Sequence, residues 1–313
     1  GGTPSVPECD VMEKLLQGLR DYFLFSADAE VTIEANPGTL TPEKLSIYRK
    51  YGINRISIGL QSPKNKELAI LGRIHNYAQF LESFQMAREA GFSNINVDLM
   101  FAIPGQCYED WIENLRMVAA LGPEHISAYS LIIEEGTPFS RKKLDLPDED
   151  TEYRMYEDVA AVLKEYGYHQ YEISNYAKAG RECRHNEGYW QRKDYLGLGL
   201  GAASLLGKER FSNTSDMQEY LKNSSAPEKI RKNRELLTRE DEMAEFMFLG
   251  LRMTQGVSKK EFQEYFGTAI ENIYGEVLKK YKKQGLLLEE SGRIFLSREG
   301  IHVSNAVMAD FLL

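Results

Sequence analysis

Ile95-Asn96-Val97-Asp98-Leu99-Met100-Phe101, with Ile103-Pro104-Gly105-Gln106 close behind, is the stretch on which the reading of the fold turns. It is apolar and β-rich yet carries a carboxylate, and the helical segment before it stops on Gly91. A left-handed helix C-cap is least costly at glycine. Working outward, the same pattern recurs: β-rich runs cover residues 31–33, 55–59, 125–133 and 168–173, and Gly52 and Gly167 precede two of them. Thr41 before Pro42 and Glu43 has the form of a helix start, a capping residue followed by proline at the first helical position. Repeated βα units imply a parallel sheet. Glu34, Gln61, Asp98, Tyr129 with Ser130, and Glu172 each fall at or just beyond the C-terminal end of a run. In a barrel such positions ring one mouth, whereas an open sheet gathers only those near its switch point. The expected fold is therefore α/β, a (β/α) barrel.

The chain has 313 residues, 42% hydrophobic and 27% charged, enough for a sizeable core. Its net charge of -9 is spread along the chain, so no basic field attracts nucleic acid or an anionic membrane. No apolar run reaches the roughly 18 residues of a membrane span, and the cytoplasm is the default expectation. Cys9, Cys107 and Cys183 are scattered and odd in number, which fits neither a disulfide framework nor a CxxC metal site. His75, His125, His169 and His302 show no metal-site spacing and are read as structural.

Gly1-Gly2-Thr3-Pro4 reads as the end of a strand whose body lies upstream, before a helix around residues 11–20. Near Leu237 the pattern changes from βα repeats to helices followed by a hairpin. Thr238 with Asp241 and Ser258 with Glu261 resemble capping boxes, and residues 286–289 and 293–296 flank a turn at Ser291-Gly292. The expected domains are residues 1–236 and a winged-helix-like module at 237–313. From Thr238 onward 10 Lys and Arg stand against 12 Asp and Glu, a net of -2, which argues against DNA binding.

The candidate chemistry lies at the expected mouth. Gly1, Gly2 and Thr3 would bring backbone amides near a small charged ligand. Glu34 and Asp98 can accept hydrogen bonds from an ammonium or a ribose, Gln61 can serve either, and Arg73 can clamp a carboxylate. Together they suit a zwitterionic nucleoside; singly, each is an ordinary loop side chain. A second cluster, Arg184-His185-Asn186-Glu187-Gly188-Tyr189-Trp190, precedes Gly197-Leu198-Gly199-Leu200-Gly201. It could bind a flat aromatic ring system, with His185 as an axial ligand to iron, or Tyr189 and Trp190 could be core or rim aromatics. The glycine run lacks a GxGxxG fingerprint.

Gly1-Gly2-Thr3-Pro4, Glu34-Ala35-Asn36-Pro37, Ser57-Ile58-Gly59-Leu60-Gln61-Ser62, Leu71-Gly72-Arg73 with His75, and Asp98 through Gln106 resemble, in order and spacing, the radical S-adenosylmethionine enzymes of the coproporphyrinogen oxidase group. The resemblance runs over nearly the whole chain. Residues 171–177, Cys183-Arg184-His185-Asn186 and Tyr189-Trp190 look like its heme chaperone branch and not the decarboxylating oxidase.

The resemblance implies that Gly2 and Thr3 contact the methionine part of S-adenosylmethionine, that Glu34, Gln61, Arg73 and Asp98 hold its amino acid and ribose groups, and that His185 handles heme. It implies heme delivery to respiratory hemoproteins, with a homodimer and peripheral membrane association as further expectations and nucleic acid as none. The alternative is oxygen-independent coproporphyrinogen III oxidase. The family also binds a [4Fe-4S] cluster through a CxxxCxxC loop after its first strand, and no such loop occurs here. The expectation is a partial barrel lacking its first strand, with roughly 30 residues or more belonging upstream.

Overall fold

Gly52, Gly91 and Gly167 adopt φ of 82°, 85° and 83°, the left-handed caps their positions predict. Thr41 accepts a hydrogen bond from the Lys44 amide, with Pro42 opening the helix. The computed structural model describes residues 2–313, and contacts divide these into two compact units, residues 2–183 and 184–313.

The first unit is built on a six-stranded sheet. β1 (Thr32–Ala35), β2 (Arg55–Gln61), β3 (Ile95–Phe101) and β4 (His125–Ser130) pair in that order, all parallel. Helices α1 (Cys9–Tyr22), α2 (Pro42–Lys50), α3 (Asn65–Ile70), α4 (Tyr77–Glu89), α5 (Tyr108–Ala120) and α6 (Glu149–Lys164) surround these strands in sequence. The fifth expected strand departs from the pattern. β5 (His169–Glu172) lies at the sheet edge, and β6 (Asn175–Ala177) returns antiparallel to it and inserts beside β4. Glu172, expected at the mouth, is buried and holds this turn, its carboxylate accepting from the Ser174 amide at 3.0 Å and the Asn175 amide group at 2.5 Å.

The two faces of the parallel strands differ. Ile56, Ile58, Leu60, Ile95, Val97, Leu99, Ile126 and Ala128 are buried in one core with Leu45, Tyr48, Phe80, Trp111, Leu115 and Val159 from the helices. Each large side chain so buried stabilises the fold by about 1.5–3 kcal/mol. Trp111 finds a partner for its indole N–H in the Met155 carbonyl, 2.9 Å away. The alternate positions are polar: Glu34 faces Ser57 across the register, Ser57 faces Asn96, Asn96 faces His125 and Asp98 faces Ser127. Parallel strands are usually apolar on both sides. A polar inner face therefore marks where the sheet meets something other than a helix layer.

The second unit opens with α7 (Arg184–Trp190), continues through an antiparallel sheet of β7 (Ala203–Leu206), β8 (Glu209–Asn213) and β9 (Arg231–Leu236), and includes α8 (Met217–Asn223) and α9 (Pro227–Ile230). Then α10 (Arg239–Gly250), β10 (Val257–Ser258), α11 (Lys259–Phe266), α12 (Ile270–Lys283), β11 (Leu287–Glu290) and β12 (Arg293–Leu296) give three helices and a small sheet of order β10-β12-β11. Thr238 and Asp241 form the expected capping box, and Ser258 accepts from the Glu261 amide. The β11–β12 hairpin turns on Ser291 and Gly292, both at positive φ. Two short helices, α13 (Arg298–His302) and α14 (Ser304–Ala309), follow it. No helix of the described residues is long and apolar enough to cross a membrane.

Candidate functional site

Gln61 ends β2 after a register irregularity between Ile58 and Gln61, and its backbone sits at φ 72°. A residue other than glycine held there stores strain of order 1–3 kcal/mol, which persists only where the surroundings over-determine it. They do so here. The Tyr129 hydroxyl donates to the Gln61 side-chain oxygen at 2.9 Å. Gly59 leaves room alongside, since a Cβ there would lie 3.2 Å from the Gln61 amide nitrogen and 3.4 Å from the Asn36 amide oxygen. Asn36 in turn donates to the Thr3 hydroxyl at 2.8 Å. Thr3, Asn36, Gln61 and Tyr129 thus form one polar arc across three strand ends and the segment before α1.

Tyr129 also reports its charged neighbours. Burial pushes its phenol up to about 12; the Asp98 and Glu34 carboxylates add to this, while the Gln61 bond and the Arg73 guanidinium oppose it. The charges of Asp98, Glu34 and Arg73 thus lie near enough to act on the phenol that bonds Gln61. Asp98 itself lies mid-strand on the inner face and not at the strand end. Burial, with Glu34 nearby, raises its carboxyl, against bonds from Asn96 and Ser127 and the charge of Arg55. Glu34 is exposed, and Arg73 and Asp98 are partly so.

Two buried groups fix this rim from beneath. His75 approaches the Leu60 carbonyl at 3.1 Å, next to Gln61, and burial lowers its pKa, so it donates as a neutral ring. Glu67 on α3 accepts from Ser62 at 2.5 Å, Gln106 at 3.1 Å and Asn114 at 2.8 Å, tying the loops after β2 and β3 to α5. His75 has the structural role its sequence reading expects, whereas Glu67 was not singled out by sequence. Gly2 is exposed and extended; Gly1, the other part of that expectation, lies outside the described residues.

His185 lies in the other unit, on α7, with an exposed side chain. Its ring meets Tyr189, one helical turn on, edge to face at 4.6 Å, and Tyr189 meets Tyr195 in the same way at 4.7 Å. Arg252 lies over the Trp190 ring at 4.4 Å, and the buried Trp190 indole nitrogen has no hydrogen-bond partner among the described residues. The glycine run at 197–201 is a loop clamped by Asn213, which donates to the Gly197 and Gly199 carbonyls at 3.2 and 2.8 Å. Leu196 and Leu198 stand exposed on it. An exposed imidazole, two edge-on phenols and an apolar loop are therefore neighbours in this segment of the chain.

The cysteines form no cluster: Cys9 is half-buried, Cys107 exposed and Cys183 buried, all as free thiols. No group of three or more His, Cys, Asp or Glu among the described residues is placed to hold a metal ion. These residues do not fit the ligand set of an iron-sulfur cluster.

Residues 1–118 match the family model described as the radical SAM superfamily, and residues 237–303 match the HemN C-terminal domain. A curated relative from Bacillus subtilis (strain 168), heme chaperone HemW, is 37% identical over the whole chain and 84% of its own length. The chain belongs to the HemW family. The Escherichia coli (strain K12) HemW protein is 36% identical over 95% of this chain and 80% of its own. Among solved structures, the coproporphyrinogen III oxidase HemN from Escherichia coli superposes with a TM-score of 0.86, covering 100% of this chain and 76% of that one. At 23% identity it shows the shared radical SAM fold alone.

Proposed function

We propose that this protein is a heme chaperone that binds S-adenosylmethionine on the polar face of the first unit, binds heme through the second, and passes heme to respiratory hemoproteins. The observation that carries the reading is the 37% identity to a named heme chaperone across the full chain. The geometry supports it. Arg73 can clamp the amino acid carboxylate of S-adenosylmethionine, and Glu34 and Asp98 can accept from its ammonium and ribose hydroxyls. Gln61 can serve either group, and Gly2 and Thr3 border the methionine end. Once bound, S-adenosylmethionine supplies a sulfonium and an adenosyl group; the chain's part is to orient the zwitterion and the ribose.

His185 is the proposed nitrogen ligand to heme iron, with Tyr189 and the exposed Leu196 and Leu198 offering an apolar surface to the macrocycle. The cytoplasm, a homodimer and peripheral contact with the membrane belong to the same reading. So does a functional division into residues 1–236 and 237–313.

Heme titration followed by the Soret band tests the second unit's role. His185→Ala is expected to weaken heme binding at least tenfold, and unchanged affinity would remove His185 from the site. Transfer from the heme-loaded protein to an apo-hemoprotein tests delivery. In an anaerobic assay with coproporphyrinogen III the expected result is no vinyl product, and its appearance would favour the oxidase reading.

A further inference from the structure

Beneath Asp98 the polar face continues as a chain of hydrogen bonds that the ligand reading does not use. His125 is fully buried at the start of β4, with Nδ1 2.6 Å from the Asn96 amide oxygen and Nε2 2.9 Å from the Tyr171 hydroxyl. Asn96 is also buried, and its amide nitrogen donates to the Ser57 hydroxyl at 2.8 Å and to the Asp98 carboxylate at 2.7 Å. Ser127 donates to the Asn96 oxygen at 3.2 Å. Tyr171 accepts from the Cys183 amide at 3.2 Å.

These contacts have one consistent set of proton positions. An amide side chain has nearly the same shape when flipped, so shape alone does not orient Asn96. If flipped, it would set its oxygen against the Asp98 carboxylate, acceptor to acceptor. With the nitrogen toward Asp98, its oxygen faces His125 Nδ1, which must then carry the proton. Nε2 is left as an acceptor for the Tyr171 O–H. Burial, with the charge of Arg55 nearby, holds His125 well below its ordinary pKa, so the ring stays neutral and this single tautomer persists.

We infer that His125 is a positioning residue for ligand recognition: its Nδ1 proton locks the Asn96 amide, and Asn96 aims the Asp98 carboxylate at the ribose hydroxyls of the bound nucleoside. The inference rests on the proposal that Asp98 faces S-adenosylmethionine, and it adds three groups to that site, His125, Asn96 and Tyr171. None touches the ligand. Asp98 accepts from Asn96, with Ser127 also in bonding reach, and of the roughly four lone-pair sites of a carboxylate two are left for neighbouring hydroxyls.

The test is a ratio of affinities. Calorimetric titration of the full chain with S-adenosylhomocysteine and with its 2′-deoxy and 3′-deoxy counterparts gives the ribose preference, expected to be about tenfold or more because a hydrogen bond to a charged group is lost in each deoxy ligand. Asp98→Asn should reduce it. His125→Leu should reduce it to a similar degree, while methionine competition, which reads the other end of the ligand, stays within about twofold. His125→Asn, whose amide nitrogen can occupy the place of Nδ1, should restore the preference.

If His125→Leu keeps the wild-type preference, or if His125→Asn loses it as fully as leucine does, the positioning role is wrong, and the Asp98→Asn result alone decides whether Asp98 binds ribose. If the wild type shows no preference, the reading of Asp98 fails first and carries this inference with it. Should His125→Leu not fold, Asn96→Asp keeps the bond from His125 but presents an oxygen to Asp98. The preference must then fall, and its survival would overturn the inference.

Discussion

Burial and the nearby Glu34 carboxylate raise the Asp98 carboxyl, so the folded chain holds that proton more tightly than the unfolded one. The associated stability is full below the ordinary aspartate value and is lost as pH rises through the raised one. Ionisation of Asp98 therefore weakens the fold, although the ionised carboxylate is the form proposed to accept from ribose. Asp98→Asn should melt no lower than wild type at neutral pH, with the difference shrinking as pH falls, yet bind S-adenosylhomocysteine at least tenfold more weakly. A lower melting temperature for the variant would show that the carboxylate is a net structural support.

Glu34, Gln61, Arg73 and Asp98 were singled out in the sequence because their polar chemistry recurs at or near β-rich runs, although Asp98 proves to lie mid-strand. Asn96, His125 and Ser57 were not. A single polar residue inside a β-rich run passes for noise unless its neighbours are read two at a time. In Arg55-Ile56-Ser57-Ile58-Gly59-Leu60 and Ile95-Asn96-Val97-Asp98 the alternation is present, and parallel strands buried on both sides do not show it.

Among the elements, α3 is held by one buried carboxylate. Glu67→Ala would leave the Ser62, Gln106 and Asn114 donors without their acceptor, at about 1–3 kcal/mol for each unsatisfied group. A loss of about 3 kcal/mol or more in urea unfolding is expected, with Glu67→Gln losing less; a change within 0.5 kcal/mol would mean that these groups find water instead. The glycine-rich loop has a different constraint. A Cβ at Gly197 would lie 2.2 Å from the Ala203 carbonyl oxygen, so Gly197→Ala must push the loop off β7, at a cost of about 1–3 kcal/mol seen in denaturant unfolding.

On the C-terminal module, Lys259 pairs with Glu289 at 2.7 Å and also with Glu271, while Lys282 pairs with Glu289. The lysine bonds hold Glu289 below the usual glutamate range, so their contribution is present above that range and is lost as pH falls through the lowered value. These side chains are about one-third exposed, so Lys259→Met should lower stability by only about 0.5–1 kcal/mol, and the loss should vanish in high salt. Helix caps and the β11–β12 turn were legible because glycine, proline and Ser-x-x-Glu spacings act locally. The β5–β6 hairpin was not, because its turn has no glycine or proline signal: the Glu172 carboxylate makes the turn's bonds, and a glutamate is not a turn-forming residue type.

Across the whole molecule, the two units should respond separately to their ligands. A ligand that binds only the folded form stabilises it by about 2.7 kcal/mol at a hundred times its Kd. S-adenosylhomocysteine should therefore slow amide exchange chiefly in residues 2–183, and heme chiefly in residues 184–313. Protection by heme confined to the first unit would contradict the assignment of His185. Periodicity placed a change of pattern near Leu237, whereas the break in contacts after Cys183 has no composition change to announce it.

The polar face has one more effect, on how the sheet is assembled. Sliding any central strand by a single residue would turn Ser57, Asn96, Asp98 or His125 toward the aliphatic layer under the helices and send isoleucines onto the polar face. The residues assigned to recognition thus also act as alignment marks. Replacing Ser57, Asn96 and Ser127 together with valine would make the strands greasier on both sides and leave their pairing poorly determined, so the chain would lose its unique architecture along with its ligand.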